Sequence, residues 1–305
     1  MKTIKTLTAL LLSIAMIPTL IACGDMAHSP HDSLPPTTED SSFQDSSINS
    51  AISSDSDTSS PEEIIPETPP TTPTTPSIPT IPETPAEPET PVVNAKAQYI
   101  RCTGSSVNLR SGAGTNFAVL GTAKAGTMYA IIGQTGNWYK TYYRNKVAYF
   151  HTSYAAVFTL EKSQNEEIED VVSEGYKLLG VPYVYGAVRL HDGNGKLLSG
   201  FTAQKFDCSS LIQYIFYKGA DVLLNVTTRT QVKQGKYVKR DDLQRGDCIF
   251  FTNEERKNNT GIERVGHVAL YLGNNYILHT ASDYACIEQI SAKRWSYYIE
   301  ARRFI

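Results

Sequence analysis

Asp207-Cys208-Ser209-Ser210-Leu211, His267-Val268-Ala269 and Tyr276-Ile277-Leu278-His279 are the segments whose residue types could do covalent chemistry together. A thiolate attacks a carbonyl carbon, an imidazole takes the thiol proton and later returns it to a leaving amine, and a third polar group fixes the ring's tautomer. The three segments supply a nucleophile, a base and an orienter. A lone histidine on an apolar strand is usually a satisfied core or surface residue. Two that share a face, in one domain with a helix-start cysteine, point to function.

The flanking residues say how these groups are held. Leu211, Ile212, Ile215 and Phe216 fall on one face of a helix opened by Asp207, a natural N-cap. Cys208 then lies in the first turn, where free amides and the helix dipole favour an anion, so its thiol pKa is expected below the free value of ~8.5. An earlier helix carries Ser163 and Glu166 as a capping box, repeats Ile168, Val171, Val172, Gly175, Leu178 and Leu179, and stops at Gly180 before Pro182. Gly246–Phe251, Val268–Leu272, Tyr276–Thr280 and Ala285–Gln289 read as antiparallel strands. If Gly273-Asn274-Asn275 forms a three-residue loop, Ala269 opposes His279, and His267 and His279 share a face. A two-residue turn would separate them.

The amino terminus suggests export. Lys2 and Lys5 precede an apolar run from Leu7 to Ile21 that is too short and too broken by Pro18 to span a bilayer but suits a signal peptide. It ends in Leu20-Ile21-Ala22-Cys23, which resembles a bacterial lipobox, with an ordinary signal peptide as the alternative. Lipidated Cys23 would anchor the chain without crossing the membrane. Residues 1–22 are thus the expected signal peptide, and residues 23–97 the lipidated terminus and a disordered linker. Of the 16 prolines, 14 lie between Pro30 and Pro91, a composition that favours an extended spacer over a packed core. Residues 24–97 hold 13 acids and one lysine, whereas the remaining 208 residues carry 25 basic and 18 acidic side chains, a net of +7 against −3 for the whole chain. That surface suits an anionic wall polymer, or is simply a solvated face.

Those 208 residues suggest two domains. Residues 98–158 read as short strands, Gln98–Thr103, Val119–Thr122, Met128–Gly133, Trp138–Tyr143 and Val147–Phe150, of a small all-β barrel. Val107-Asn108-Leu109-Arg110-Ser111-Gly112, Val119-Leu120-Gly121 and Asn137-Trp138-Tyr139-Lys140 resemble the bacterial SH3-like domain of wall-targeted enzymes, although Ala148-Tyr149-Phe150 replaces its usual Gly-Tyr-Val ending.

From residue 159 to 305 four segments carry a second resemblance. They are Leu179-Gly180-Val181-Pro182-Tyr183-Val184-Tyr185-Gly186, Phe206-Asp207-Cys208-Ser209-Ser210-Leu211, Leu243-Gln244-Arg245-Gly246-Asp247 and Gly266-His267-Val268-Ala269-Leu270-Tyr271-Leu272-Gly273. In this order they resemble the NlpC-type cysteine peptidases of the bacterial cell wall. The resemblance implies an α+β, papain-like fold and cleavage of peptidoglycan stem peptides, most often between D-glutamate and a diamino acid. It makes Cys208 the nucleophile, His267 the base and His279 the third polar residue. Tyr183 and the Cys208 backbone N–H would form the oxyanion hole. Asp207 and Ser209 would contact substrate, although Asp207 could equally be only a cap.

Ala187, Ser210 and Val226-Thr227 depart from the family pattern, and two insertions, residues 188–204 and 253–264, would border the cleft as specificity loops or plain surface decoration. Cys102, Cys248 and Cys286 read as buried thiols, with a disulfide open to an exported protein. No cofactor or metal is expected, a zinc site on Cys208, His267 and His279 being the weaker alternative. A monomer acting on stem peptides is expected, with no nucleic-acid partner. A muramoyl-alanine amidase and a non-catalytic wall-binding lipoprotein are the competing readings.

Overall fold

The computed structural model describes residues 95–305. The expected signal peptide, Cys23 and the linker up to residue 94 lie outside the described residues. Eight strands build the first part: β1 (Lys96–Cys102), β2 (Val107–Arg110), β3 (Val119–Ala123), β4 (Met128–Ala130), β5 (Gly133–Thr135), β6 (Trp138–Tyr143), β7 (Lys146–His151) and β8 (Ala155–Glu161). They form two antiparallel sheets, β4-β1-β8 and β3-β2-β7-β6-β5, around Tyr99, Leu109, Ala148 and Phe150.

The expected edges of this barrel shift at both ends. Lys96 and Ala97 pair with Glu161 and Leu160, so the strand begins inside the segment assigned to the linker and β8 runs past residue 158. β2 and β8 escape the strand pattern. β2 has only four residues, too short a run for its alternation to stand out, and β8 leaves four of its five apolar side chains exposed or half-buried, so it shows no clean alternation.

The second part contains α1 (Glu166–Lys177), α2 (Cys208–Ala220), α3 (Thr228–Gln231), β9 (Lys236–Val238), β10 (Cys248–Phe251), β11 (His267–Gly273), β12 (Tyr276–Ala281), β13 (Tyr284–Gln289), α4 (Ala292–Ser296) and β14 (Tyr298–Arg303). Its antiparallel sheet has the order β13-β12-β11-β10-β14-β9. Strand alternation sorts the apolar residues onto two faces. Phe250, Val268, Leu270 and Leu278 pack with Leu211, Ile212, Ile215 and Val172 of the helices. Ile249, Phe251, Ala269 and Ile277 form a second core with Trp295 at α4. The four buried apolar side chains of α2 each contribute about 1.5–3 kcal/mol by leaving water. α2 lies close on α1, because a Cβ on Gly219 would come within 2.5 Å of Val171 backbone atoms.

α1 is capped differently from the expected Ser163–Glu166 box. Asn165 is the N-cap and accepts from Glu167 N. The carboxylate that reaches back to Ser163 N belongs to Glu169, which also receives Arg245. That arginine sits where the two parts meet. It donates to both Glu169 oxygens, to Tyr176 Oη and, at 3.0 Å, to Tyr99 Oη in the barrel. A buried guanidinium is tolerated only with its donors satisfied in this way.

A second seam lies at the β6–β7 turn, where Arg144 and Asn145 both have positive φ. Arg144 N and Nε donate to Leu179 O and Gly180 O, and Asn145 N donates to Lys177 O. Gly180 has φ +82°, and a Cβ there would come within 2.3 Å of Tyr143. The barrel thus holds the chain that leads from α1 to Tyr183. Among the described residues no helix is long and apolar enough to cross a membrane.

Candidate active site

α2 places Cys208. Asp207 Oδ1 accepts from Ser210 N at 2.8 Å and Ser210 Oγ accepts from Asp207 N at 2.9 Å, a reciprocal capping box that starts the helix at the cysteine. Ser210, a departure from the family pattern, thereby acquires a structural task. The other carboxylate oxygen of Asp207 accepts from Gly186 N and, at 2.8 Å, from Arg189 Nη2. Arg189 also reaches Ser209 Oγ, Val226 O and Ala187 O. Asp207 and Ser209 are buried and engaged by these partners, so the cap is the role on view. Arg189, in the first insertion, is a residue that sequence reasoning overlooked.

Tyr183 is strapped beside the nucleophile's turn. It bridges to Phe206, while Val184 N donates to Phe206 O and Tyr183 N to Asp283 O. Burial, then the neighbouring Cys208 and Asp207, push its phenol pKa up, so the hydroxyl stays protonated and able to donate. Its hydroxyl makes no hydrogen bond among the described residues.

The histidines come from one hairpin. Asn274 and Asn275 make the turn with positive φ at both, and an irregularity after Tyr271 absorbs one residue. The turn itself has two residues, yet the bulge restores the register of a three-residue loop, with Leu270 opposite Leu278. His267 and His279 therefore share the face of Ala269 and Ile277, and His267 Nε2 lies 2.9 Å from His279 Nδ1. Both rings are buried.

Two more side chains extend this line. His279 Nε2 lies 3.4 Å from Glu288 Oε1 on β13, which accepts from Arg294 Nε of α4 at 2.5 Å. Neither was legible beforehand, although alternation from His279 through the β12–β13 hairpin could have flagged Glu288 as a buried acid. Cys286 Sγ lies 3.7 Å from His279 Nε2.

α2 packs against β11, and the backbone N–H groups of Val268 and Ser209 act to lower the Cys208 thiol pKa. The expected depression of the thiol pKa does not hold. Burial, followed by the Asp207 carboxylate, pushes it up to about 12, outweighing the two amides and Arg189. Burial, then His279 and Arg294, hold His267 well below its ordinary 6.5. Burial lowers His279 as well, against the opposing pull of Glu288. Both shifts favour the uncharged forms, a neutral thiol and a neutral imidazole. None of the four described cysteines is in a disulfide.

Comparison with known proteins finds matches for both parts of the chain. Residues 180–303 match the NlpC/P60 family and residues 105–156 the bacterial SH3 domain. A gamma-D-glutamyl-L-lysine dipeptidyl-peptidase of Bacillus cereus is 29% identical over 154 residues, covering 48% of this chain and 40% of that protein. The Bacillus subtilis protein of the same name is 33% identical over 125 residues, 41% of this chain and 36% of the relative. A gamma-DL-glutamyl hydrolase of B. subtilis is 37% identical over 139 residues, 44% and 29% respectively. The chain spans about two-fifths or less of the length of these relatives. Among solved structures, an NlpC/P60 family protein from B. cereus aligns over 68% of this chain and 63% of its own, at 22% identity and TM-score 0.36.

Proposed function

With an NlpC/P60 domain at residues 180–303 behind a bacterial SH3 domain at 105–156, we propose that this chain is a cell-wall cysteine endopeptidase. It hydrolyses peptidoglycan stem peptides at the D-glutamyl to diamino acid bond. The carrying observation is a helix-start cysteine on α2, which packs against β11 and β12, together with the His267–His279 pair that those two strands carry. The names of the relatives, which specify glutamyl-lysine and glutamyl bonds, support the bond class.

Substrate brings the carbonyl carbon to Cys208 Sγ. As the C–S bond forms, the thiol proton passes to His267, and the carbonyl electrons move to an oxyanion that the Tyr183 hydroxyl and Cys208 N–H stabilise. Collapse breaks the C–N bond, and His267 returns its proton to the leaving amine. Water, deprotonated by His267, then hydrolyses the thioester. His279 holds the base in place, while Asp207 and Ser209, whose contacts are with Arg189 and the helix start, shape the turn that carries the nucleophile.

The sequence around Cys23 supports a diacylated amino terminus, with residues 24–97 spacing the enzyme from the membrane toward the wall. Digestion of purified peptidoglycan followed by mass spectrometry tests the activity. New amino termini on the diamino acid are expected from the wild type and none from Cys208→Ala. Intact stem peptides freed from muramic acid would make the chain an amidase, and absence of any product would make it a binding protein.

A further inference from the structure

Glu288 and Arg294 make no hydrogen bond or ion pair with Cys208 or His267 among the described residues, yet they close the line of rings behind the base. We propose that Glu288 is a positioning residue that sets the direction of protons along His279 and His267, with Arg294 holding its carboxylate in place. The proposal rests on the thiol-hydrolase reading above.

Two neutral imidazoles joined through one Nε2–Nδ1 contact can order their protons in two ways. In the first, His279 carries its proton on Nε2, its Nδ1 accepts from His267 Nε2–H, and His267 Nδ1 keeps a free lone pair. In the second, His279 donates from Nδ1, His267 Nε2 accepts, and His267 Nδ1 bears the proton. Only the first leaves the base able to receive the Cys208 proton, because in the second its remaining nitrogen is already protonated. The contact distance of 2.9 Å fits both orders equally.

The groups around His279 Nε2 break this tie. Glu288 Oε1 is an acceptor, and its ionised state is favoured by His279 and by Arg294, which together outweigh its burial. A carboxylate facing Nε2 requires the proton to be there, which selects the productive order. Cys286, 3.7 Å from the same nitrogen, is the competing influence. Its S–H can donate to an unprotonated Nε2 and would favour the reversed order. A carboxylate is by far the stronger partner for a ring N–H, so Glu288 prevails while present.

His279, Cys286 and Glu288 also present three ligand-type atoms within 4.8 Å of one another. A cation there would have to displace Arg294, whose guanidinium already neutralises the carboxylate at 2.5 Å. The cluster is therefore built to hold a proton in place. Arg294 also raises the cost of a second positive charge on either ring, which keeps the imidazoles neutral and the base free to accept.

The test reads the protons directly. Long-range proton–nitrogen NMR on the resting protein should find His267 protonated on Nε2 and bare on Nδ1, with His279 likewise protonated on Nε2. Glu288→Ala should mix or reverse this pattern and lower kcat by roughly tenfold or more, within the ~10⁴-fold loss that a wrong tautomer can cause, while KM changes little. Glu288→Gln, whose amide oxygen can still accept the Nε2 proton, should restore much of both signals. A proton on His267 Nδ1 in the wild type overturns the proposal whether or not any variant folds. So does a Glu288→Ala protein with native structure, an unchanged tautomer and unchanged kcat. The NMR arm needs no substrate, so a wild type that cleaves no stem peptide would sink the functional reading and leave this test standing.

Discussion

The rings of His267 and His279 meet edge to face, with planes 82° apart and centroids 5.1 Å from each other, so that one nitrogen of each is aimed at the other. The proposed mechanism gives the two side chains unequal tasks: one must change protonation state, and the other need only accept a hydrogen bond.

Substitutions should reveal that inequality. His267→Asn should lose about 10²–10⁴-fold in kcat, because an amide cannot take the thiol proton. His279→Asn places an amide oxygen near the position of Nδ1 and should keep measurable activity, more than His279→Gln and far more than His279→Ala. Equal rates for His267→Asn and His279→Asn would show that the roles are assigned wrongly.

The neutral resting pair makes alkylation a test of charge state. With the Cys208 thiol pushed up to about 12, its reaction with iodoacetamide should accelerate about tenfold per pH unit between pH 7 and 10. Cys102 and Cys248 are buried and their thiols are also pushed up by burial, so they should label more slowly in the folded protein. A Cys208 rate already level below pH 7 would mean that a thiolate–imidazolium pair exists before substrate arrives.

Tyr183→Phe removes one donor from the expected oxyanion site and leaves the ring's packing. The anticipated loss is about 10²–10³-fold in kcat at similar KM. Wild-type turnover in this variant would assign the oxyanion to other donors.

Stability should fall on both sides of a central pH range. Burial lowers the pKa values of His191, His267 and His279, so the unfolded chain binds protons first as pH drops below 6.5. Their contribution is present above that value and is lost as pH falls toward the lower folded values. Cys208 and Cys248 are raised, so unfolded thiols ionise first near 9.0 and stability declines as pH rises beyond it. Thermal melts should give the highest Tm between about pH 6.5 and 9, and a folded His279→Gln variant should show a shallower acid side. A Tm unchanged from pH 7 to pH 5 would contradict the neutral burial of these rings.

The proposed anchor at Cys23 should be separable from catalysis, because Cys23 lies well before the described domains in the sequence. Cys23→Ser should release an active enzyme into the soluble fraction after a high-salt wash. Retention of that variant on membranes would require an attachment other than acyl chains.

Local chemistry made much of this molecule legible in its sequence. An aspartate before an apolar helical repeat fixes where α2 starts, and so puts Cys208 in its first turn. Alternation on two strands placed His267 and His279 on one face only for a three-residue loop, and the structure reaches that register with a two-residue Asn-Asn turn and a bulge. These are short-range rules of backbone geometry, and one strand or one turn carries them.

Long-range pairing and electrostatic context could be decided only by the tertiary structure. β14 inserts between β10 and β9, bringing the chain's last strand against its middle. Arg189 finds Asp207 across 18 residues and Arg245 finds Tyr99 across 146, contacts that no periodicity encodes. Glu288 becomes the partner of His279 only once β13 pairs with β12 and α4 lowers Arg294 onto it. The helix-start rule correctly located Cys208 but misjudged its charge. A thiol's pKa sums burial and every neighbouring charge, and here the surrounding protein and Asp207 outweigh the local amides that the sequence made visible.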